Sequence, residues 1–311
     1  MRVPLRLLGA TAVIGVAMIA GPAGVVGPTE CNALELVVDN VAGSDDAPPE
    51  SSASPRRAPP LRTINRALEL ARPGDQITVV NTGEPYREQL SIGGCRLRGN
   101  SLRPLVIVSD GAVLDGTVAA APGAWRHVVG DVYAMRPRRL AYQQVFYAGA
   151  PLGRVRLASR VGADQTLKPL EWSLLAGELL LRTEATRLPE SYGFRHAGLQ
   201  TGITLHSTTR VEIEGLVIQG FQQDGVNAHN LVTDCVLRNV ECRANGRSGL
   251  SVGGASRVRV EASNFYDNGR VQVRSERLAR LELQGCEVAG NEGAPASESR
   301  GGVVLSDGQP L

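Results

Sequence analysis

Two of the four histidines in this 311-residue chain, His206 and His229, stand one repeat apart, about 23 residues, in a region of regular alternation. Imidazoles placed this way can act as acid and base, hold a metal, or stack on a sugar ring. They can also be a plain solvated ladder. Asp224 precedes Gly225 close to the same surface, and either serves as general acid or nucleophile or shapes a turn. Arg274 offers one positive charge to a carboxylate.

Glycoside hydrolysis uses two carboxylates flanking the scissile bond, and the outward positions of these repeats supply only Asp224. A lyase needs a base beside a uronate and cations to neutralise it; one arginine is an incomplete set. A third metal ligand is not evident at suitable spacing, and no calcium-loop pattern occurs, so no cofactor is assigned. A Ser-His-Asp arrangement, a nucleophile elbow and a phosphate loop are all missing. The single lysine, Lys168, lies away from these residues and reads as a surface group.

The elements that must position these groups repeat. Aligned on glycines, copies begin at Gly202, Gly225, Gly249 and Val271, and a fifth opens at Gly302. Each holds three short stretches of alternating apolar residues, the mark of strands with one buried face. The first stretch is Ile203/Leu205, Val226/Ala228, Leu250/Val252 and Val271/Val273. The second is Val211/Ile213, Cys235/Leu237, Val258/Val260 and Leu281/Leu283. The third is Leu216/Ile218, Val240/Cys242, Ser263/Phe265 and Cys286/Val288.

Three strands per repeat make one turn of a three-sided coil, so the fold class is all-β, a right-handed parallel β-helix. The first stretch then turns Thr204, His206, Asn227, His229, Ser251, Gly253, Gln272 and Arg274 outward. Asn245, Asn268 and Asn291 recur at the same period after the third strand, as expected for side-chain amides stacked in a ladder.

Composition agrees with thin stacked layers. Aromatics are 4%, glycines number 36, and 42% of residues are hydrophobic. The net charge of +2 and the lack of a basic stripe among aromatics argue against nucleic acid as a partner. Cys31, Cys95, Cys235, Cys242 and Cys286 include no CxxC pair, and the register places the last three inside as separate thiols.

The N-terminus has the layout of a secretory leader: Arg2 and Arg6, an apolar run from Leu7 to Ala20, then small residues. Cleavage after Ala23 or Ala33 and export are the expectation; an uncleaved anchor over Leu7 to Val26 is the alternative. Residues 1–33 are thus assigned as leader, 34–120 as cap and first rungs, 121–200 as an insertion, and 201–311 as the repeats.

Within 43–116, Gly43-Ser44-Asp45 is followed by Pro60-Leu61-Arg62-Thr63-Ile64 with Ala67, then Pro73-Gly74-Asp75 and Tyr86-Arg87-Glu88. This succession resembles the opening of secreted pectate-lyase-like β-helix proteins. Leu61 stands where those carry Phe, Asp46 to Pro59 is a Pro/Ser-rich loop, and the Gly-x-Tyr turn is displaced as Gly83-Glu84-Pro85-Tyr86. Leu61, Ile64, Ala67, Leu68 and Ala71 fall at helical spacing, predicting a capping helix of about three turns over the open end of the coil.

Residues 121–200 break the pattern. Trp125, Val132-Tyr133, a Val-Phe-Tyr-Ala-Gly stretch from Val145 and Leu167-Lys168-Pro169 ahead of Trp172 are similar to small β insertions in β-helix glycosidase-like proteins. The resemblance implies a polysaccharide or oligosaccharide lying along the outward first face, acted on by a lyase or hydrolase, or bound without catalysis. Gly302 to Leu311 opens a rung without a capping helix or closing strand, so the expectation is a shortened coil, or an end covered by self-association or another chain.

Overall fold

The computed structural model describes residues 33–46, 59–94, 97, 99, 103–138, 142–291 and 293–311. Residues 1–32, with Cys31 and nearly all of the expected leader, lie outside them, as do most of the Pro/Ser-rich loop and Cys95. The body is a right-handed parallel β-helix of three sheets. The first face stacks Leu90–Gly93, Ile203–His206, Asp224–His229, Ser248–Val252, Val271–Glu276 and Ser297–Arg300.

The second face begins with Glu35–Val38, Gln76–Val79 and Leu105–Ser109 and runs on through Val211–Glu214 to Val303–Ser306. The third carries Val113–Asp115, Val217–Gln219, Glu241–Arg243, Asn264–Tyr266 and Glu287–Ala289. Inward columns such as Leu90, Ile203, Val226, Leu250 and Val273 form one continuous aliphatic core. Each layer alone is too thin to bury its apolar side, so stacking does it.

The fourth copy is registered two residues away from the expected alignment. Leu250 pairs with Val273 and Val252 with Ser275, not with Val271 and Val273. The reason lies at the corner before the strand. Gln272 occupies the column of Gly225 and Gly249 and is fully buried. Its Oε1 accepts from the Asn268 backbone N–H at 3.0 Å and from Asn268 Nδ2 at 2.9 Å. Asn268 Oδ1 in turn accepts from Asn245 Nδ2 at 3.1 Å. The amide ladder is therefore Asn245–Asn268–Gln272. Asn291, expected as its third member, is exposed; its amide reaches the Asn268 carbonyl at 3.5 Å and its Oδ1 accepts from the Gly293 N–H at 3.0 Å, with no amide-to-amide contact to Asn268.

The capping helix is α1 (Ile64–Leu70), two turns instead of three; Leu61 and Ala71 are buried beside it but outside it. Ala71 already turns extended, with ψ 148°, and Pro73 two residues on cannot continue a helix. Two acidic residues of the opening segment, Asp45 and Glu88, hold this cap in place by their carboxylates. Asp45 Oδ1 accepts from the backbone N–H groups of Arg62 and Thr63, and its Oδ2 from the Thr63 hydroxyl at 2.7 Å. Glu88 accepts from the backbone N–H groups of Ile64 and Asn65, each at 2.9 Å, satisfying orphan donors of the first turn.

The insertion starts at Thr117, a little before position 121. Thr117–Ala119 and Arg195–Ala197 pair antiparallel as its stem within one four-stranded sheet, and a second four-stranded sheet lies between them in sequence. Both tryptophans of the chain, Trp125 and Trp172, are buried in its separate core. The coil resumes with Ile203 directly on Leu90. At the C-terminal end a closing strand does exist: Gln309–Pro310 folds back antiparallel on Val303–Ser306. Sequence reading missed it because the strand is two residues long and polar. Cys235, Cys242 and Cys286 are free thiols; burial pushes Cys235 up to about 11.

Candidate functional site

Strand alternation turns two columns of side chains outward on the first face, with Ser251 and Arg274 covered by their neighbours. One runs Ser91, Thr204, Asn227, Ser251, Arg274, Glu298. The other runs Gly93, His206, His229, then Gly253 and Glu276 by continuation of the register, and Arg300. The structure thus brings His206 and His229 onto adjacent rungs as the sequence predicts. Their ring centroids are 6.3 Å apart and tilted by 32°. Gly93 makes room for the first ring: a Cβ there would lie 2.3 Å from the imidazole. Ser91 Oγ stands 3.5 Å from His206 Nε2.

Asp224 lies in a strand, not a turn, and is fully buried. Arg247 Nε donates to its Oδ1 at 2.8 Å and Arg247 Nη2 to its Oδ2. Ser248 Oγ adds 2.5 Å to Oδ1, and Asn227 Nδ2 donates to Oδ2 at 2.8 Å. With every lone-pair direction engaged and no exposure, this carboxylate orients its neighbours and does not itself reach a ligand. Its hydrogen bond, ahead of burial and charge, holds the Arg247 guanidinium above its ordinary value.

The arrangement continues to His229. An ionised carboxylate only accepts, so the Asn227 amide must present its NH2 to Asp224 and its oxygen elsewhere. That oxygen is 2.9 Å from His229 Nδ1. His229 therefore carries its proton on Nδ1 and presents the Nε2 lone pair outward. Burial first, and the neighbouring His206 second, push its pKa below the ordinary 6.5. The product is a neutral imidazole acceptor.

Arg274 is on the same face but is nearly buried, at 7% exposure. Its Nη2 pairs with Glu276 and lies 3.7 Å from Glu298. Glu298 also binds Arg300, with Nη2 at 2.7 Å. Arg274 Nε has no hydrogen-bond partner. Gln272 is removed from the outward surface by its place in the ladder. Glu276 and Glu298, which sequence reading missed, are thus two further carboxylates on this face. They were hidden by the two-residue register difference in the fourth copy, and Ser297–Arg300 carries no apolar alternation to betray a strand. Counting the column from Gly225 and Gly249 to Gln272 would have exposed Glu276.

The insertion supplies a side wall. Tyr142 lies against the corner at Gly246, where a Cβ would be 2.7 Å from the tyrosine Cβ. Arg270 covers its ring at 5.6 Å. On the second face, a separate groove is lined by Asp234, Arg257, Arg259, Arg280 and Glu282. It holds no histidine, and its charges are mixed, three arginines to two carboxylates. Among the described residues no group of three or more His, Cys, Asp or Glu side chains converges to hold a metal.

A family model described as a right handed beta helix region matches residues 201–309. Among solved structures, a glycoside hydrolase superposes with a TM-score of 0.59 at 11% identity, covering 82% of this chain and 73% of that one. XylC in complex with xylose gives 0.44 at 12%, covering 87% and 68%. A lacto-N-biosidase from Eubacterium ramulus gives 0.42 at 11%, covering 87% of this chain and 50% of that one. No curated protein matches the chain.

Proposed function

We propose that this is an exported carbohydrate-binding β-helix protein that takes a polysaccharide chain along its first face, parallel to the coil axis. The observation that carries this reading is the double column of mostly polar residues, Ser91 through Glu298 and His206 through Arg300, at one residue per rung and interrupted in the second column at Gly253. Rungs are about 4.8 Å apart, close to the length of one sugar unit, so successive units meet successive rungs. The side wall at Tyr142 gives the strip a groove-like edge. A glycoside hydrolase with the same coil agrees with a carbohydrate ligand. The leader at Arg2 to Ala23 or Ala33 supports export.

The test is retention on a panel of immobilised neutral and acidic glycans. Wild type should bind at least one, and His206→Ala/His229→Ala should lower that affinity at least about tenfold, or about 1.4 kcal/mol. Unchanged binding by the double variant removes the histidine patch from the site.

One observation favours a second reading, hydrolysis. Glu276 and Glu298 converge on one guanidinium nitrogen of Arg274, which brings two carboxylates onto one surface. New reducing ends after incubation with a bound glycan, lost in Glu276→Gln and in Glu298→Gln, would establish it. Binding with no products in wild type would leave the protein non-catalytic.

A further inference from the structure

The second column contains a gap. His229 and Glu276 lie two rungs apart, and the residue between them is Gly253. A Cβ built on Gly253 meets nothing within 4 Å, so the space above it is open. The situation at the top of the column is the reverse, since the His206 ring fills the space over Gly93. Two glycines bracket the two histidines, one covered and one empty. The opening spans two rung intervals of about 4.8 Å each, room for a single pyranose.

The groups on either side are both acceptors. His229 Nε2 has no hydrogen-bond partner among the described residues, and Nδ1 is committed to Asn227. Glu276 is about one-third exposed, and one oxygen pairs with Arg274. Arg274 is already shared with Glu298, so it has no charge left to neutralise an acidic ligand. Arg300 is held by Glu298 and Arg247 by Asp224. Arg270, which has no ion-pair partner among the described residues, precedes Val271, at the other end of the strand that Glu276 closes. A uronate carboxylate in the gap would face the two carboxylates Glu276 and Glu298, with only the exposed Arg277 in the turn after Glu276 lacking an ion-pair partner among the described residues at that end of the strand. A sugar hydroxyl would donate to both sides.

We infer that the space over Gly253 is a subsite for one neutral pyranose unit, its hydroxyls donating to His229 Nε2 and to Glu276. The inference rests on the first-face reading above and adds the position and the charge class of the sugar. Asp224 and Asn227 are positioning residues here, acting only through the tautomer they impose on His229.

Gly253 makes the test direct, because its backbone lies outside the left-handed region and a side chain there meets only open space. Gly253→Leu should fold with the melting temperature of wild type while filling the subsite. The probes are cellohexaose, xylohexaose and mannohexaose, with hexagalacturonate as the acidic comparison, titrated calorimetrically into the full chain. Wild type is expected to bind at least one neutral probe at least tenfold more tightly than hexagalacturonate. Gly253→Leu and His229→Ala should each weaken that binding at least tenfold. The side-chain nitrogen resonances of His229 should shift on titration and should not shift in Gly253→Leu.

Wild-type binding that survives Gly253→Leu overturns the subsite and leaves the first-face reading standing. Tighter binding of hexagalacturonate overturns the neutral-sugar assignment. If Gly253→Leu misfolds, His229→Ala decides: undiminished affinity for the neutral probe overturns the subsite. Wild type binding none of the glycans overturns the first-face reading and the subsite with it.

Discussion

At the scale of single residues, burial decides which of the sequence-level candidates can touch a ligand. Asp224 and Arg274 were chosen for their charge, yet both are turned into the protein's own ion pairs, whereas His206 and His229 remain accessible. Asp224→Ala would leave Arg247 with an unpaired, largely covered guanidinium; a loss of about 3 kcal/mol in denaturant unfolding is expected. In the same variant the Asn227 amide is free to turn, so long-range proton–nitrogen spectra should show His229 moving away from a pure Nδ1–H tautomer. Wild-type His229 found with its proton on Nε2 would refute the relay. The pH dependence follows in sign. A histidine whose folded-state pKa is depressed contributes no penalty well above 6.5, and stability is lost as pH falls below the unfolded value. Ligand binding through the Nε2 lone pair should fall at lower pH, as the folded-state value below 6.5 is passed, and be flat above it. The histidine pair was legible in the sequence because a strand period and a repeat period coincide there. The burial of Asp224 was not, because Arg247 and Ser248, which enclose it, belong to the next rung.

At the scale of elements, two polar devices hold the coil's interior and its end. Asn268 accepts from Asn245 and donates to Gln272, to the Cys242 carbonyl at 3.0 Å and to the Tyr266 carbonyl. Asn268→Ala would strand the buried backbone N–H of Asn245, which Asn268 Oδ1 accepts at 3.0 Å, at roughly 1–3 kcal/mol, and would leave the Gln272 oxygen only the backbone N–H of residue 268. Asn291→Ala should change stability by less than about 0.5 kcal/mol, since that side chain is exposed. Equal effects of the two on thermal unfolding would restore the ladder the 23-residue spacing predicts. The device at the end is Glu88, whose two oxygens each receive a backbone N–H of α1. Burial raises its pKa against those hydrogen bonds. Glu88→Gln keeps the shape but turns an NH2 toward one of the two donors, and should cost about 1–3 kcal/mol with faster amide exchange confined to α1 and its neighbours. The three faces could be read from alternation alone, because each inward residue is apolar in at least three copies. The fourth copy could not: Val271 and Val273 alternate as well as Val273 and Ser275 do, and only the polar corner at Gln272 selects between them.

At the scale of the whole molecule, the insertion is a guest in an otherwise continuous coil. Its two ends are side by side: the N–H groups of Gly198 and Leu199 both donate to the Gly116 carbonyl, at 3.1 and 2.9 Å. The strands on either side of it in sequence stack directly, Val113–Asp115 with Val217–Gln219 and Leu90–Gly93 with Ile203–His206. Its hydrophobic core is separate from that of the coil. The boundary was misread by a few residues because Thr117–Ala119 alternates like one more coil strand, although it pairs antiparallel with Arg195–Ala197. Excising 117–197 and joining Gly116 to Gly198 through two glycines should therefore leave a cooperatively unfolding β-helix with the first-face register intact. Histidine nitrogen shifts of His206 and His229 should match those of the full chain. Glycan affinity should nonetheless fall, because Tyr142 and the wall it forms at Gly246 go with the insertion. Collapse of the excised chain would show that the insertion is required for the coil to close. Unchanged affinity would confine recognition to the two columns on the coil itself, and to the rungs between His206 and Glu276.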